Sequence, residues 1–276
     1  MYNSEINKTG EKNMSFDFSA VKKGTRDHKK IIMLYGVPGI GKTTQCAALP
    51  NAFFLPIEDG TADLDVAQYT FEDGSVKLQA FGEVMGILDM LLTEGKDSGF
   101  ENIIIDSASA LEPLIHRDVC AAGDDKGHVK ANIEDFGYGG GYKRALKYWQ
   151  EFYDKISLVR SELNVNIWLI GHSMIKTVSN PDNEPYDRYM PELHKDAIGL
   201  LQKNSDALIF AKFREIVRKI DGKMGAKENK AIGQGERFMY TSEMPAFLAK
   251  NRSQPSLPHE LLFDCNSILD LWNKKD

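Results

Sequence analysis

Gly36-Val37-Pro38-Gly39-Ile40-Gly41-Lys42-Thr43 follows the apolar run Ile31-Ile32-Met33-Leu34-Tyr35 and precedes Thr44-Gln45-Cys46-Ala47-Ala48-Leu49. These eight residues fit the phosphate-loop pattern G-x-x-x-x-G-K-[ST]. A strand-like run before it and a helix-compatible run after it are the context such a loop needs. Glycines let backbone N–H groups approach phosphate oxygens, and the start of a helix adds a favourable dipole. Lys42 then reaches the β- and γ-phosphates, and the Thr43 hydroxyl ligates Mg²⁺. Gly36, Val37, Pro38, Gly39, Ile40, Gly41, Lys42, Thr43 and Thr44 are the candidate nucleotide-binding residues, and ATP with Mg²⁺ is the implied cofactor set.

A phosphate loop needs an acidic partner near the metal. Asp106 ends the apolar run Asn102-Ile103-Ile104-Ile105, and ligands of open α/β sheets bind at the carboxyl ends of strands. Asp106 is therefore the second candidate metal residue beside Thr43, holding Mg²⁺ through water. Glu58 ends the run Phe53–Ile57 in the same way, where a carboxylate orients or deprotonates the water that attacks the γ-phosphate. Asp59 competes for that role, and Glu58 as a surface cap is the plainer alternative.

Outward from the loop, short apolar runs alternate with helical spacing. Val76–Phe81 reads as a strand, Glu83–Leu92 as a helix, Tyr142–Leu163 as a long helix and Asn166–Gly171 as a strand. Such alternation predicts an α/β fold with a mostly parallel central sheet and helices on both faces. After Ser205 the runs ALIFAKFREIVRKI, RFMYTS and AFLAKN predict antiparallel C-terminal strands extending that sheet. SNPDNEP (179–185) reads as a turn-rich loop. The expected organisation is an N-terminal arm over residues 1–28 and one ATP-binding domain over 29–276.

Composition sets the bounds. The 276 residues are 42% hydrophobic and carry 34 basic and 40 acidic side chains, a net charge of −6. A sizeable core is expected and wholesale disorder is not. No apolar run approaches the roughly 20 residues of a membrane span. The polar N-terminus offers no secretion signal, and Cys46, Cys120 and Cys265 lack metal-ligand spacing, so a cytoplasmic protein with reduced thiols is expected. Charge is uneven: residues 31–210 carry 15 basic and 27 acidic residues, whereas residues 211–252 carry ten and five. A basic segment of this kind attracts a polyanion or merely faces solvent.

GVPGIGKTT, the strand-end glutamate of FLPIEDG, NIIIDSASAL and NIWLIGHS, in that order, resemble the RecA-type recombinase core. FLAKNRSQPSLPHELLFD (247–264) is similar to the strand whose cations reach the neighbouring subunit's nucleotide. At this compact length the chain looks most like phage RecA-core single-strand annealing proteins of the Sak type. The resemblance implies a RecA-like P-loop NTPase core, with Glu58 as catalytic carboxylate and Lys250 and Arg252 acting across a subunit interface. It places His172 where the family has a glutamine that senses the γ-phosphate. It also implies single-stranded DNA as partner, a homo-oligomeric ring or filament, a single-strand-binding protein as a further partner, and the host-cell cytoplasm as location.

In that family two loops contact DNA. The first corresponds to residues 121–142, with Lys130 and Tyr138. The second corresponds to residues 173–195, with Lys176, Tyr186, Arg188 and Tyr189. Cations beside aromatics suit a single strand, whose phosphates and bases are both exposed. Asp124, Asp125, Glu134 and Asp135 in the first loop oppose this, and a surface loop with partly packed tyrosines is the alternative. The leading expectation is an ATP-hydrolysing, single-stranded-DNA-binding protein that promotes annealing or recombination. The competing functions are a nucleotide-controlled assembly factor or helicase-like motor, and a small-molecule phosphotransferase such as a nucleotide kinase.

Overall fold

The computed structural model describes residues 17–24, 28–180, 183–214, 216–221, 227–232 and 235–274. Most of the expected N-terminal arm lies outside the described residues, as do the side chains of residues 215–234 in the basic stretch 211–252.

The first half of the chain runs β1 (Ile31–Gly36), α1 (Lys42–Ala47), β2 (Ala52–Pro56), β3 (Ala67–Gln68), α2 (Phe81–Glu94), β4 (Asn102–Asp106), α3 (Ala108–Ala122) and α4 (Gly140–Leu163). The second half runs β5 (Asn166–Asn180), β6 (Asn183–Pro191), α5 (Lys195–Asn204), β7 (Ala207–Phe213), β8 (Ile216–Asp221) and β9 (Lys227–Ile232). It ends with β10 (Arg237–Tyr240), β11 (Lys250–Asn251), β12 (Glu260–Leu262) and α6 (Cys265–Asn273). Among the described residues the main sheet has the order β12-β10-β7-β1-β5-β4-β2-β3. β1 is parallel to β5 and β7, and β2 and β4 continue the parallel set. β10, β11 and β12 join antiparallel, as their position after the parallel core predicts.

Alternation along the strands produces the two helical layers. Ile31, Met33 and Tyr35 face one core with α2, α3, α4 and α5. Ile32 and Leu34 face the other, where they meet Ile40, Cys46 of α1 and Cys265 and Ile268 of α6. Both faces of β1 are buried, which is why its sequence is a continuous apolar run rather than an alternating one.

Four expectations need correction. Val76–Ala80 is not a strand. The outer edge of β2 is taken by β3, so the segment makes one backbone bond to β2, Leu78 N–H to Pro56 O at 2.7 Å. Glu83 then accepts from the N–H groups of Gln79 and Ala80 and starts α2 at Phe81. The expected loop at 179–185 is the end of a hairpin: β5 continues past the sheet and pairs antiparallel with β6, Ser173 opposite Pro191 through Asn180 opposite Asn183. β8 and β9 pair with each other as a separate ladder instead of extending the sheet. AFLAKN contributes only the two residues of β11.

Candidate functional site

Strand register gathers the candidate residues. Gly36 lies opposite His172 on one side and Ala211 on the other, and Pro56 lies opposite Asp106. The ends of β1, β2, β4 and the sheet-bound part of β5 therefore finish together. Ile57 and Glu58 both donate backbone N–H to the Asp106 carbonyl, at 2.6 and 3.0 Å. Two residues about fifty positions apart in sequence are thus stitched into one wall.

The phosphate loop is seated by packing at both ends. Val37 N–H bonds Ala211 O at 3.1 Å, and Ile40 is fully buried in the α1–α6 core. At Gly36 a Cβ would meet the Ala211 carbonyl oxygen at 2.3 Å, so only glycine permits that approach. Gly41 has φ +94°, in the region that glycine occupies without strain. Pro38, Gly39 and Thr44 remain exposed above the loop.

Lys42 is buried, and its Nζ donates to Gly36 O at 3.1 Å and Val37 O at 3.3 Å. Burial holds its pKa below the usual lysine value. The Thr43 hydroxyl donates to Asp106 Oδ2 at 2.7 Å. Burial raises the Asp106 pKa, and the Thr43 hydrogen bond offsets part of that. A loop with open glycine backbone, a buried lysine and an adjoining hydroxyl–carboxylate pair fits a magnesium–triphosphate. Thr43 and Asp106 are the hard oxygen groups that would hold the ion, Asp106 through water. Two such groups suit magnesium, which keeps waters and takes its other ligands from phosphates. Among the described residues no group of three or more His, Cys, Asp or Glu side chains forms a metal site of its own. When bound, magnesium neutralises charge on the β- and γ-phosphate oxygens.

Glu58 is held from two sides. His172 Nε2 lies 3.0 Å from Oε2 and 3.1 Å from Oε1, and the Ser107 hydroxyl donates to Oε1. The His172 bond lowers the Glu58 pKa, and the same bond raises that of His172. The His172 backbone N–H in turn bonds Ser109 Oγ at 3.0 Å. A cavity of about 300 Å³ opens on the pair, with Ser109, Glu112 and Glu192 among its walls. An ionised carboxylate at an open cavity, beside the metal residues, can orient a water and take its proton.

A family model described as an AAA domain matches residues 28–253. The chain belongs to the AAA-domain family. No curated protein matches it. This AAA domain is an ATP-binding, ATP-hydrolysing unit on an α/β phosphate-loop fold, and its family commonly oligomerises. The family match is broader than the RecA-type resemblance and does not extend to strand annealing. Among the described residues no helix is long and apolar enough to cross a membrane.

The remaining sequence candidates divide. Lys250 Nζ donates to Gln202 O, Lys203 O and Ser205 O, and Arg252 donates to Lys203 O and Asn204 O and pairs with Asp206. Both close the C-terminal end of α5. β11 pairs with Leu208 and Ala207 at the start of β7, so within one chain they sit at the sheet end opposite the phosphate loop. Lys130 pairs with Asp124 at 2.9 Å. Tyr138 is fully exposed. Hairpin register sets Lys176 opposite Arg188 and Val178 opposite Tyr186, so Lys176, Arg188 and Tyr186 share one face. Lys176 is exposed, but Arg188 Nη2 bonds Glu243 Oε1 at 2.6 Å, Phe247 O at 3.1 Å and Met244 O at 3.3 Å. Tyr189 stacks on Phe210 with ring centres 5.0 Å apart. Arg188 and Tyr189 therefore anchor the base of the hairpin.

Ser107 and Ser109 escaped the sequence reading although both lie in the quoted NIIIDSASAL. Nothing in that string says that one serine would meet Glu58 and the other the backbone of His172.

Proposed function

We propose that this AAA domain couples ATP turnover to the β5–β6 hairpin and works as a nucleotide-controlled assembly factor or helicase-like motor. The observation that carries this reading is the position of His172. Its ring holds Glu58, while its backbone is the step from the sheet into the hairpin. The returning strand bonds it as well, Glu192 N–H to His172 O at 2.9 Å. Glu58 orients the attacking water and accepts its proton, Lys42 neutralises the phosphates, and His172 keeps Glu58 ionised until the proton arrives. Loss of the γ-phosphate then changes the charge facing the pair and is felt at the hairpin.

Hydrogen exchange over residues 173–191 tests the coupling, with magnesium and either ADP or a non-hydrolysable ATP analogue. The reading expects exchange that differs between the two nucleotides, together with ATP turnover that does not require DNA. Identical exchange in both states removes it.

Single-stranded-DNA binding with annealing or recombination is the second reading, favoured by Lys176 and Tyr186 on one hairpin face and by the exposed Tyr138. Replacing Lys176 and Tyr138 with alanine should weaken binding and flatten its salt dependence. Unchanged affinity and salt slope remove this reading.

A further inference from the structure

The expected cations Lys250 and Arg252 are committed to α5, and a different arginine lies at the phosphate loop. A Cβ built on Gly41 would sit 2.9 Å from Arg237 Nη1. The guanidinium thus rests against the glycine that immediately precedes Lys42. It arrives there from β10, where Arg237 pairs with Phe213 at the end of β7 and its guanidinium lies 6.0 Å from the Phe213 ring centre. Its backbone is fixed by Phe263 N–H donating to Arg237 O at 3.0 Å.

Its neighbour Arg214 shows what an occupied arginine looks like here. Arg214 stacks 3.7 Å over Phe238 and pairs with Glu236 and Glu260. Arg237 has no carboxylate or carbonyl acceptor among the described residues. An exposed arginine with no acceptor is unremarkable on an ordinary surface. Beside a loop built to hold phosphates it is a free donor fork aimed at an anion.

Sheet order says which part of the nucleotide it meets. Asp106, Glu58 and His172 lie on the β5–β4–β2 side of β1, and the γ-phosphate must face them for hydrolysis. Arg237 comes from β10, on the other side of β1, two strands away. We infer that Arg237 is a nucleotide-binding residue acting within its own chain, its guanidinium holding the α- and β-phosphates rather than the γ-phosphate. The inference rests on the phosphate-loop reading, and it adds a residue that neither the motif nor the family match supplies. It also makes nucleotide binding by a single chain independent of a neighbour's cation.

The test titrates ADP and ATP, each with magnesium, into the full chain and into its Arg237→Ala, Arg237→Lys and Lys42→Ala variants by calorimetry. Arg237→Ala should weaken ADP and ATP by a similar factor of about ten, as expected for one charge-assisted contact. Arg237→Lys should recover part of the loss. ADP affinity within twofold of the parent overturns the inference, and so does a loss confined to ATP, which would put the guanidinium at the γ-phosphate. A parent chain that binds neither nucleotide overturns the phosphate-loop reading itself, and Arg237 with it. Melting of Arg237→Ala and Arg237→Lys without nucleotide, compared with the parent, separates lost affinity from lost fold.

Discussion

His172 Nε2 sits 3.0 Å from Glu58 Oε2, joining β5 at the point where it leaves the main sheet to the second residue beyond β2 across the intervening β4. The pair makes pH an informative variable. The folded pKa of His172 is raised above 6.5, so its stabilising contribution is complete below pH 6.5 and fades as pH rises through the raised value. Glu58 is lowered from 4.5, so its contribution is present above pH 4.5 and fades as pH falls through the lowered value. Both are present between pH 4.5 and 6.5. In that window His172→Ala should reduce Tm by about 1–3 °C, a modest effect because the pair is partly solvated. The difference between variant and parent should shrink by about pH 9. A difference that does not vary with pH would mean the imidazole is not charged in the fold.

Glu58→Gln keeps shape and loses the base. Nucleotide affinity should stay close to that of the parent, while single-turnover hydrolysis slows by about a hundredfold or more. Equal hydrolysis rates would move the role to another carboxylate, with Asp59 next in line. In His172→Ala the acid limb of the turnover profile should shift upward, because Glu58 loses the hydrogen bond that lowers its pKa.

Lys42→Ala removes a buried ammonium from the phosphate cradle. ATP and ADP affinity should fall by about a hundredfold, the scale of one strong charge-assisted contact. Binding of a fluorescent nucleotide reads this directly, and retained affinity would contradict the assignment of the loop.

Arg188→Ala removes the donor that three acceptors of the segment Glu243–Phe247 share. The loss should be about 1–2 kcal/mol in denaturant unfolding, because the carbonyls of Met244 and Phe247 keep only their mutual backbone bonds and Glu243 loses its ion pair. A variant as stable as the parent would free Arg188 for the nucleic-acid role its sequence context suggests.

Lys250→Met removes the ammonium from the carbonyls of Gln202 and Ser205 and leaves Lys203 O to Arg252 alone. A stability loss of about 1–2 kcal/mol is expected, read by thermal or denaturant unfolding. If stability is unchanged, the contacts to Gln202, Lys203 and Ser205 are incidental and an intersubunit role for Lys250 regains its place.

Legibility followed the range of the interaction. The loop from Gly36 to Thr43 was readable because its chemistry is contiguous: glycine, lysine and hydroxyl must follow one another to wrap one phosphate. Asp106 and Glu58 were readable because buried parallel strands are apolar and a carboxylate at their end stands out. Val76–Phe81 misled because an apolar run says nothing about whether a sheet edge is free, and Ala67–Gln68 had already taken the edge of β2. The segment after His172 misled for a related reason. Its turn residues mark the hairpin tip, but the pairing of Ile175 with Tyr189 and Thr177 with Asp187 depends on register between two strands.

The sequence by itself determined an α/β phosphate-loop domain and named Thr43 and Asp106 as the groups that would hold a metal, because each reading rests on neighbouring residues or on burial that patterning records. Tertiary structure alone decided that His172 and Ser107 grip Glu58, that Lys250 and Arg252 close a helix, and that Arg237 reaches Gly41. Those relationships join residues 45 to 196 positions apart, and only strand order and register bring such atoms within a few ångströms.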